Sequence, residues 1–171
     1  MGTPHSPPLL VVADSNVPLD LALGIEDVVD AMALIRRRLQ GGSILIPPRV
    51  VREVSFLGQF AAEASTRQAA ASFLRRHREW GCQLVAYVTL GEEFVERVAR
   101  QLRVQRLVAA AEVNDSVILV EAAVLNASLL LTTDEHLRGV DYLQSKFLLE
   151  KFELSAPVIA TPREIVRKFS R

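Results

Sequence analysis

Short apolar runs alternate with longer stretches of helical period, and this alternation constrains the fold of the chain more than any other feature. The runs are LLVVA at 9–13, ILI at 44–46, the segment 83–88, LLLT at 129–132 and VIA at 158–160. Continuous apolar runs of this length are typical of strands buried on both faces of a parallel sheet. Strands that alternate with helices form βαβ units, so the sequence predicts an α/β fold: a three-layer α/β/α domain with a central, mostly parallel five-stranded sheet.

The stretches between the runs are predicted to be helices. Their expected ranges are 17–40 (ended by Gly41-Gly42), 49–57, 61–80 (ended by Gly81), 92–102, 114–126, 142–152 and 162–169. The last helix has Thr161 as its N-cap and Pro162 at its first position, a favoured pair of residues for a helix start. The segment 103–113 is either a loop or a short helix. Residues 1–8 are expected to be a flexible N-terminus, and residues 9–171 a single domain.

Composition limits the function classes. The 171 residues contain 20 Lys and Arg and 20 Asp and Glu, so the net charge is zero and any contact with nucleic acid must be local. A single cysteine, Cys82, cannot form an internal disulfide, which suits a reducing cytosol and predicts a cytoplasmic protein. Charged residues interrupt every apolar run before about 18 residues, so no membrane span is expected.

Acidic residues stand where the predicted strands end. Asp14 directly follows LLVVA, Asp134 follows LLLTT, Asp115 opens the most apolar helix, and Glu53 lies in the helix after the second strand. In parallel sheets the ligand crevice lies at the carboxyl ends of the strands. We therefore expect the four carboxyl groups to meet in one cleft.

Each of these residues also has a plain structural interpretation. An Asp at the start of a helix is a favoured N-cap, and Glu53 has Arg49 and Arg52 near it as ion-pair partners. Taken together, however, three or four carboxylates in one cleft repel one another unless a divalent cation lies among them. Oxygen-only ligation suits Mg²⁺ or Mn²⁺, and such sites favour metal-assisted hydrolysis of phosphate esters.

Three segments carry a resemblance to a known family. LLVVADSNV, NDSVILVEAAVLNASLLLTTDEHL and VIATPREIV resemble the PIN domain, the ribonuclease fold of VapC-type toxins and of several RNA-processing nucleases. The resemblance extends over most of the chain and is weakest over 61–113, which carries the extra length relative to a minimal toxin. It implies a metal-dependent endoribonuclease that cuts RNA with a water activated on Mg²⁺ or Mn²⁺.

The resemblance also implies roles for individual residues. The four acidic positions of the family are matched, in chain order, by Asp14, Glu53, Asp115 and Asp134. All four are candidate catalytic residues, and the first, third and fourth are candidate metal ligands. Asn16 and Thr132 match positions whose side chains orient the carboxylates or the attacking water.

The second and last acidic positions leave alternatives open. Glu63 is the alternative to Glu53, because no motif fixes the register of that helix. Glu135 stands where many family members carry a further acidic residue. The resemblance further implies a homodimer, and a cognate antitoxin as partner if the chain is the toxin of a toxin–antitoxin pair.

Two other functions are consistent with the same residues. A haloacid-dehalogenase-like phosphohydrolase also has an Asp after its first strand, but Asn16 replaces the Asp expected two residues later and no Lys stands near the fourth strand. The second alternative is a catalytically inactive PIN fold that binds RNA or docks to a protein.

Charged residues outside the four acidic positions each have a structural and a functional interpretation. Glu121 is the only charge within an apolar helix, and it either pairs with an arginine in a structural role or extends the acidic pocket. Arginines recur every three residues from Arg97 to Arg106, either as a solvated helix face or as phosphate contacts.

Overall fold

The computed structural model describes residues 9–39 and 42–170. Its five strands are β1 (Val11–Ala13), β2 (Ile44–Ile46), β3 (Cys82–Leu84), β4 (Leu129–Leu131) and β5 (Val158–Ala160). They form one sheet in the order β3-β2-β1-β4-β5, and all four pairings are parallel. The predicted α/β fold with a central five-stranded sheet is confirmed. The expected flexible segment 1–8 lies outside the described residues.

Helices flank this sheet. Those within the described ranges are α1 (Asn16–Ala22), α2 (Glu26–Arg38), α3 (Pro48–Phe60), α4 (Ala64–Arg76), α5 (Glu92–Val104), α6 (Val113–Val124), α7 (Glu135–Arg138), α8 (Tyr142–Glu150) and α9 (Pro162–Phe169). None of them is long and apolar enough to cross a membrane.

The core forms where the apolar runs predicted it. All three residues of β1 are fully buried at the centre of the sheet, and α6 is buried over Ser116–Ala123. At the other end of the chain, α9 begins as predicted. Thr161 accepts a hydrogen bond from the amide of Glu164, whose carboxylate accepts one from the amide of Thr161, so each residue satisfies an otherwise free N–H group.

The prediction of one helix over 17–40 is wrong. The chain leaves the helical path at Leu23–Ile25, where Gly24 has φ +73°, and α2 restarts at Glu26. A left-handed residue cannot continue a right-handed helix, and glycine adopts that conformation without steric cost. The predicted helix end at Gly41 falls outside the described residues.

Other boundaries also differ from the prediction. The third strand is Cys82–Leu84 rather than 83–88, because its partner β2 stops at Ile46, before Pro47, which has no amide hydrogen to continue the ladder. The helix expected over 61–80 is shorter (α4), while α3 runs three residues beyond its predicted end. The segment 103–113 has no separate helix, and the short α7 was not predicted.

The strand order fixes where a ligand cleft can form. From β1 the chain moves outward to β2 and β3, then returns to the other side of β1 with β4 and β5. The connections on either side of β1 therefore diverge at the carboxyl ends of β1 and β4, the switch point where open α/β sheets bind ligands. Asp14 and Thr132 are the first residues after these two strands.

Candidate active site

Asp14 occupies the centre of the switch point. Its amide nitrogen donates to the carbonyl of Leu131, which continues the β1–β4 ladder by one residue, and its side chain is only 3% exposed. The amide of Ser15 donates to Oδ1 at 2.6 Å, and the hydroxyl of Thr132 donates to Oδ2 at 2.7 Å. Both carboxylate oxygens are thus held in a fixed orientation.

Asp134 is tied to the same point through Thr132. The hydroxyl that donates to Asp14 also accepts from the amide of Asp134 at 2.9 Å, so one side chain links the ends of β1 and β4. Oδ1 of Asp134 accepts from the amide of His136 at 2.6 Å and thereby caps α7. The capping interpretation of Asp134 is correct, and it does not remove this residue from the cleft.

Glu53, and not Glu63, lies beside Asp14. The hydroxyl of Ser15 donates a short hydrogen bond to Oε2 of Glu53, which brings the middle of α3 to the end of β1. Glu63 is exposed at the N-terminal boundary of α4. Of the two alternatives that the sequence left open, Glu53 contacts the loop that carries Asp14.

Asp115 lies in the first turn of α6 and completes the group. Its Oδ2 atom is buried and has no hydrogen-bond partner, the only such side-chain atom within residues 9–39 and 42–170. Buried polar atoms are almost always paired, so an orphaned carboxylate oxygen calls for a missing donor or cation.

Burial and neighbouring negative charges raise the pKa values of Asp14 and Asp115. Burial is the main cause that raises the pKa of Asp14 to about 6, and the charges of Glu53 and Asp134 add to it against the hydrogen bonds from Thr132 and Ser15. Burial also raises the pKa of Asp115 to about 7, followed by the charges of Asp14 and Asp134. The charges of Glu53 and Asp134 act on both Asp14 and Asp115, so the four carboxyl groups lie near one another at this end of the sheet.

The donor set fits a divalent cation that keeps most of its water. Within the described ranges, no three His, Cys, Asp or Glu side chains are arranged as a ready ligand cluster. Mg²⁺ is usually held by one or two carboxylates and several waters, so it does not need such a cluster. The orphaned oxygen of Asp115 beside Asp14 supplies the oxygen chemistry and negative charge that a hard cation selects.

Two predicted residues lie apart from these contacts. Asn16 is the first residue of α1; it is exposed, and its side chain makes no hydrogen bond within the described part of the chain. Glu135 is exposed in the first turn of α7. The orienting contact expected of Asn16 is instead made by its neighbour Ser15.

Sequence reasoning missed Ser15 and Glu112. Ser15 stands between two residues that were singled out. Its amide donates to Asp14 and its hydroxyl donates to Glu53, the second bond only because of the position of α3. Glu112 precedes α6, and its charge also raises the pKa of Asp115. A polar residue directly after Asp14 was a usable signal for Ser15, whereas nothing marked Glu112.

Glu121 binds the backbone at the start of α3 and also lines a cavity. Its Oε2 accepts from the amide of Arg49 at 2.9 Å, near the start of α3, where Pro47 offers no side-chain cap. The guanidinium of Arg49 turns instead to Glu96 at 2.6 Å and to Asn114 at 3.3 Å. Glu121 therefore pairs with an arginine, as one of the two expectations had it, but through the backbone amide of Arg49 and not through its guanidinium group.

A cavity of about 130 Å³ lies next to these residues, at the carboxyl ends of β2 and β3. Its apolar walls come from Pro48, Val88, Val95 and Val117, and Tyr87 stands at its edge. It is therefore on the same side of the sheet as the acidic cleft.

No protein-family model matches the chain, and neither a curated protein nor a solved structure is detectably similar to it. The resemblance to PIN domains stays a prediction that depends on the motifs around Asp14, Asp115 and Asp134.

Proposed function

We propose that this protein is a metal-dependent endoribonuclease that hydrolyses phosphodiester bonds in RNA with Mg²⁺ or Mn²⁺. One observation carries the proposal: the buried, unpaired Oδ2 of Asp115 lies in a cleft with three further carboxyl groups at the β1–β4 switch point. A purely structural cluster would pair these charges with arginines, as the chain does for Arg138 and Glu164 on its surface.

In this proposal Asp14, Asp115 and Asp134 would hold the cation, one or two of them directly and the rest through its bound water. When bound, Mg²⁺ or Mn²⁺ supplies Lewis acidity toward a phosphate oxygen and lowers the pKa of the attacking water. Thr132 keeps Asp14 in one orientation and ties it to the backbone of Asp134. Glu53, held by Ser15, is a carboxylate free to accept a proton from the water.

The biological setting follows from the resemblance. We place the protein in the cytoplasm as a homodimer and as the toxin of a toxin–antitoxin pair, with a cognate antitoxin as partner. Size-exclusion chromatography with light scattering tests the dimer, and co-purification of a protein encoded beside this chain tests the antitoxin.

Cleavage of a panel of structured RNAs by the purified protein tests the activity. The reactions contain Mn²⁺, Mg²⁺ or EDTA, and the protein is wild type, Asp14→Asn, Asp115→Asn or the control Asp30→Asn. Asp30 is exposed on α2 and makes no side-chain contact in the described residues, so its variant matches the chemical change outside the cleft. We expect metal-dependent cutting by wild type and the control, and a loss of at least about 100-fold in both cleft variants.

The alternatives give different results in the same assay. Cutting that persists in EDTA or in both cleft variants contradicts the proposed site. No cutting of any RNA, together with no Mn²⁺ binding by calorimetry, favours the inactive RNA-binding or protein-docking module. A phosphorylated Asp14 trapped with a small phosphate ester would identify the haloacid-dehalogenase-like phosphohydrolase.

A further inference from the structure

The cavity at the carboxyl ends of β2 and β3 is lined by the carboxyl group of Glu121, of which one oxygen is hydrogen-bonded within the fold. Glu121 is 6% exposed, and its Oε2 accepts from the amide of Arg49. Its Oε1 accepts no hydrogen bond from the described residues, and Glu121 lines the cavity. Oε1 is not among the fully buried oxygens of those residues that lack a partner, so it is accessible, and a ligand in the cavity that brings a donor can bond to it.

The charges around the cavity exclude a phosphate as that ligand. Arg49 and Arg52 are its two cations, and each is already bonded to a glutamate, Glu96 and Glu92 respectively. With Glu121 the cavity has three carboxyl groups against two guanidinium groups. The fitting ligand group is therefore neutral or cationic, and it presents hydrogen-bond donors.

The size and walls of the cavity point to a flat ring. A closed cavity of about 150 Å³ in another protein takes up one benzene ring. This cavity is slightly smaller, about 130 Å³, so it admits one edge of a planar base and leaves the rest of the base at the mouth. Its valine and proline walls are apolar, and Tyr87, which is 79% exposed, is free to stack on a ring at the mouth. A planar base inserted edge-first would meet the carboxyl group of Glu121.

The cavity is also next to the proposed cutting site. Arg49 and Glu53 are four residues apart on α3, a rise of about 6 Å, and Asp115 and Glu121 are six apart on α6, a rise of about 9 Å. A nucleotide neighbouring the scissile phosphate can therefore reach the cavity.

We infer that this cavity binds one unstacked guanine of the RNA substrate, with Glu121 accepting hydrogen bonds from its ring N–H and exocyclic amino group and Tyr87 stacking on its face. Guanine presents two donors side by side, which a carboxylate accepts together, whereas adenine, cytosine and uracil do not present that pair. This inference rests on the proposed function for its choice of RNA as ligand.

Binding of short, labelled single-stranded RNAs, measured by fluorescence anisotropy in EDTA, tests the inference without cleavage. The strands differ in one central base, which is guanine, inosine, adenine, cytosine or uracil. Inosine lacks only the amino group, so we expect wild type to bind the guanine strand about tenfold more tightly than the inosine strand. Glu121→Gln should abolish this preference, because an amide presents a donor to the base.

Two further variants separate recognition from folding. Glu121→Gln retains a carbonyl for the amide of Arg49, and circular dichroism checks that this variant folds. Tyr87→Ala changes an exposed side chain and should weaken binding of the guanine strand about fivefold or more, with Tyr87→Phe close to wild type. Glu93→Gln, an exposed glutamate on α5 that does not line the cavity, is the matched control and should keep the preference.

The outcomes for the two proposals are distinct. Equal affinity for all strands, no binding of any strand, or an unchanged preference in Glu121→Gln overturns the guanine site, even if the protein cuts RNA. A guanine preference that depends on Glu121 supports the site even if no cutting is found. Displacement of the strand by free guanosine monophosphate at equal affinity, or by argininamide, would assign the cavity to a free nucleotide or to a protein side chain and overturns it as well.

Discussion

The hydroxyl of Thr132 donates to Oδ2 of Asp14 at 2.7 Å, and the two residues are 118 positions apart in the chain. The hydroxyl oxygen of Thr132 also accepts a hydrogen bond from the amide of Asp134. One small side chain thereby orients a buried carboxylate and the backbone that carries its neighbour, at the point where the two halves of the sheet meet.

Thr132→Val removes both bonds with almost no change in shape. We expect a loss of about 1–3 kcal/mol in the free energy of unfolding, because the amide of Asp134 and Oδ2 of Asp14 both lose a buried partner. The pKa of Asp14 should rise further, since the bond from Thr132 lowers it. Urea denaturation measures the first effect and NMR titration of the Asp14 carboxyl the second. Thr132→Ser keeps the hydroxyl group and should leave the stability and the pKa of Asp14 near their wild-type values. If Thr132→Ser loses as much stability as Thr132→Val, the methyl group and not the hydroxyl group is responsible.

Glu53→Gln and Glu63→Gln form a matched pair. The first removes the charge that Ser15 holds beside Asp14, and the second changes an exposed residue at the start of α4. We expect metal-dependent RNA cleavage to fall at least about tenfold in Glu53→Gln and to stay at the wild-type rate in Glu63→Gln. A larger effect at Glu63 would contradict the position of Glu53 as the second acidic residue.

The stability of the metal-free protein should fall as the pH rises. The folded-state pKa of Asp14 is about 6 against an ordinary 3.8, so between these values the folded protein binds more protons than the unfolded chain. The stabilisation is complete below 3.8 and lost above about 6, a difference of about 3 kcal/mol. Asp115 and Glu121, with pKa values raised to about 7, act in the same direction at slightly higher pH.

Thermal unfolding in EDTA between about pH 5 and pH 8 checks this dependence. The melting temperature should decrease along the series, and Asp14→Asn should flatten the decrease. Mg²⁺ should raise the melting temperature at the upper end, where the carboxyl groups are ionised, and have little effect at the lower end. A melting temperature that increases with pH in EDTA would contradict the raised pKa values.

Gly81→Ala should destabilise the fold without disturbing the cleft. Gly81 has φ +71° and precedes β3, at the amino ends of the strands, whereas Asp14 lies at their carboxyl ends; an added Cβ would lie 2.5 Å from Nε of Arg36. The left-handed conformation costs alanine about 1–2 kcal/mol, while the arginine side chain is able to move aside. Denaturation should show this loss and RNA cleavage at low temperature should be unchanged; a loss of cleavage alone would not fit this account.

The parts of the fold that the sequence predicted well are those decided by local residues. LLVVA contains the fully buried central strand that a continuous apolar run predicts, whereas VIA forms an edge strand whose residues are exposed or half-buried. Helix α9 begins at Pro162 with Thr161 as its N-cap, as predicted. The break at Gly24 was not predicted, since the apolar periodicity continues through it and only the backbone angle reveals the turn.

The site was predictable in position but not in contacts. The crevice rule brought Asp14, Asp115 and Asp134 together from sequence alone. The choice of Glu53 over Glu63 depends on how α3 packs on the end of β1, and the partner of Glu121 is a backbone amide 72 residues away. Such long-range contacts follow from tertiary packing, which a single sequence does not show.

The central position of β1 has a consequence for synthesis. β1 pairs on one side with β4, and Asp14 precedes Thr132 by 118 positions, so β1 is synthesised well before this partner strand. Asp14 and Glu53 are translated before β4, and the cleft lacks Thr132 and Asp134 until β4 follows. A nascent chain would therefore carry no assembled cleft until β4 has been translated.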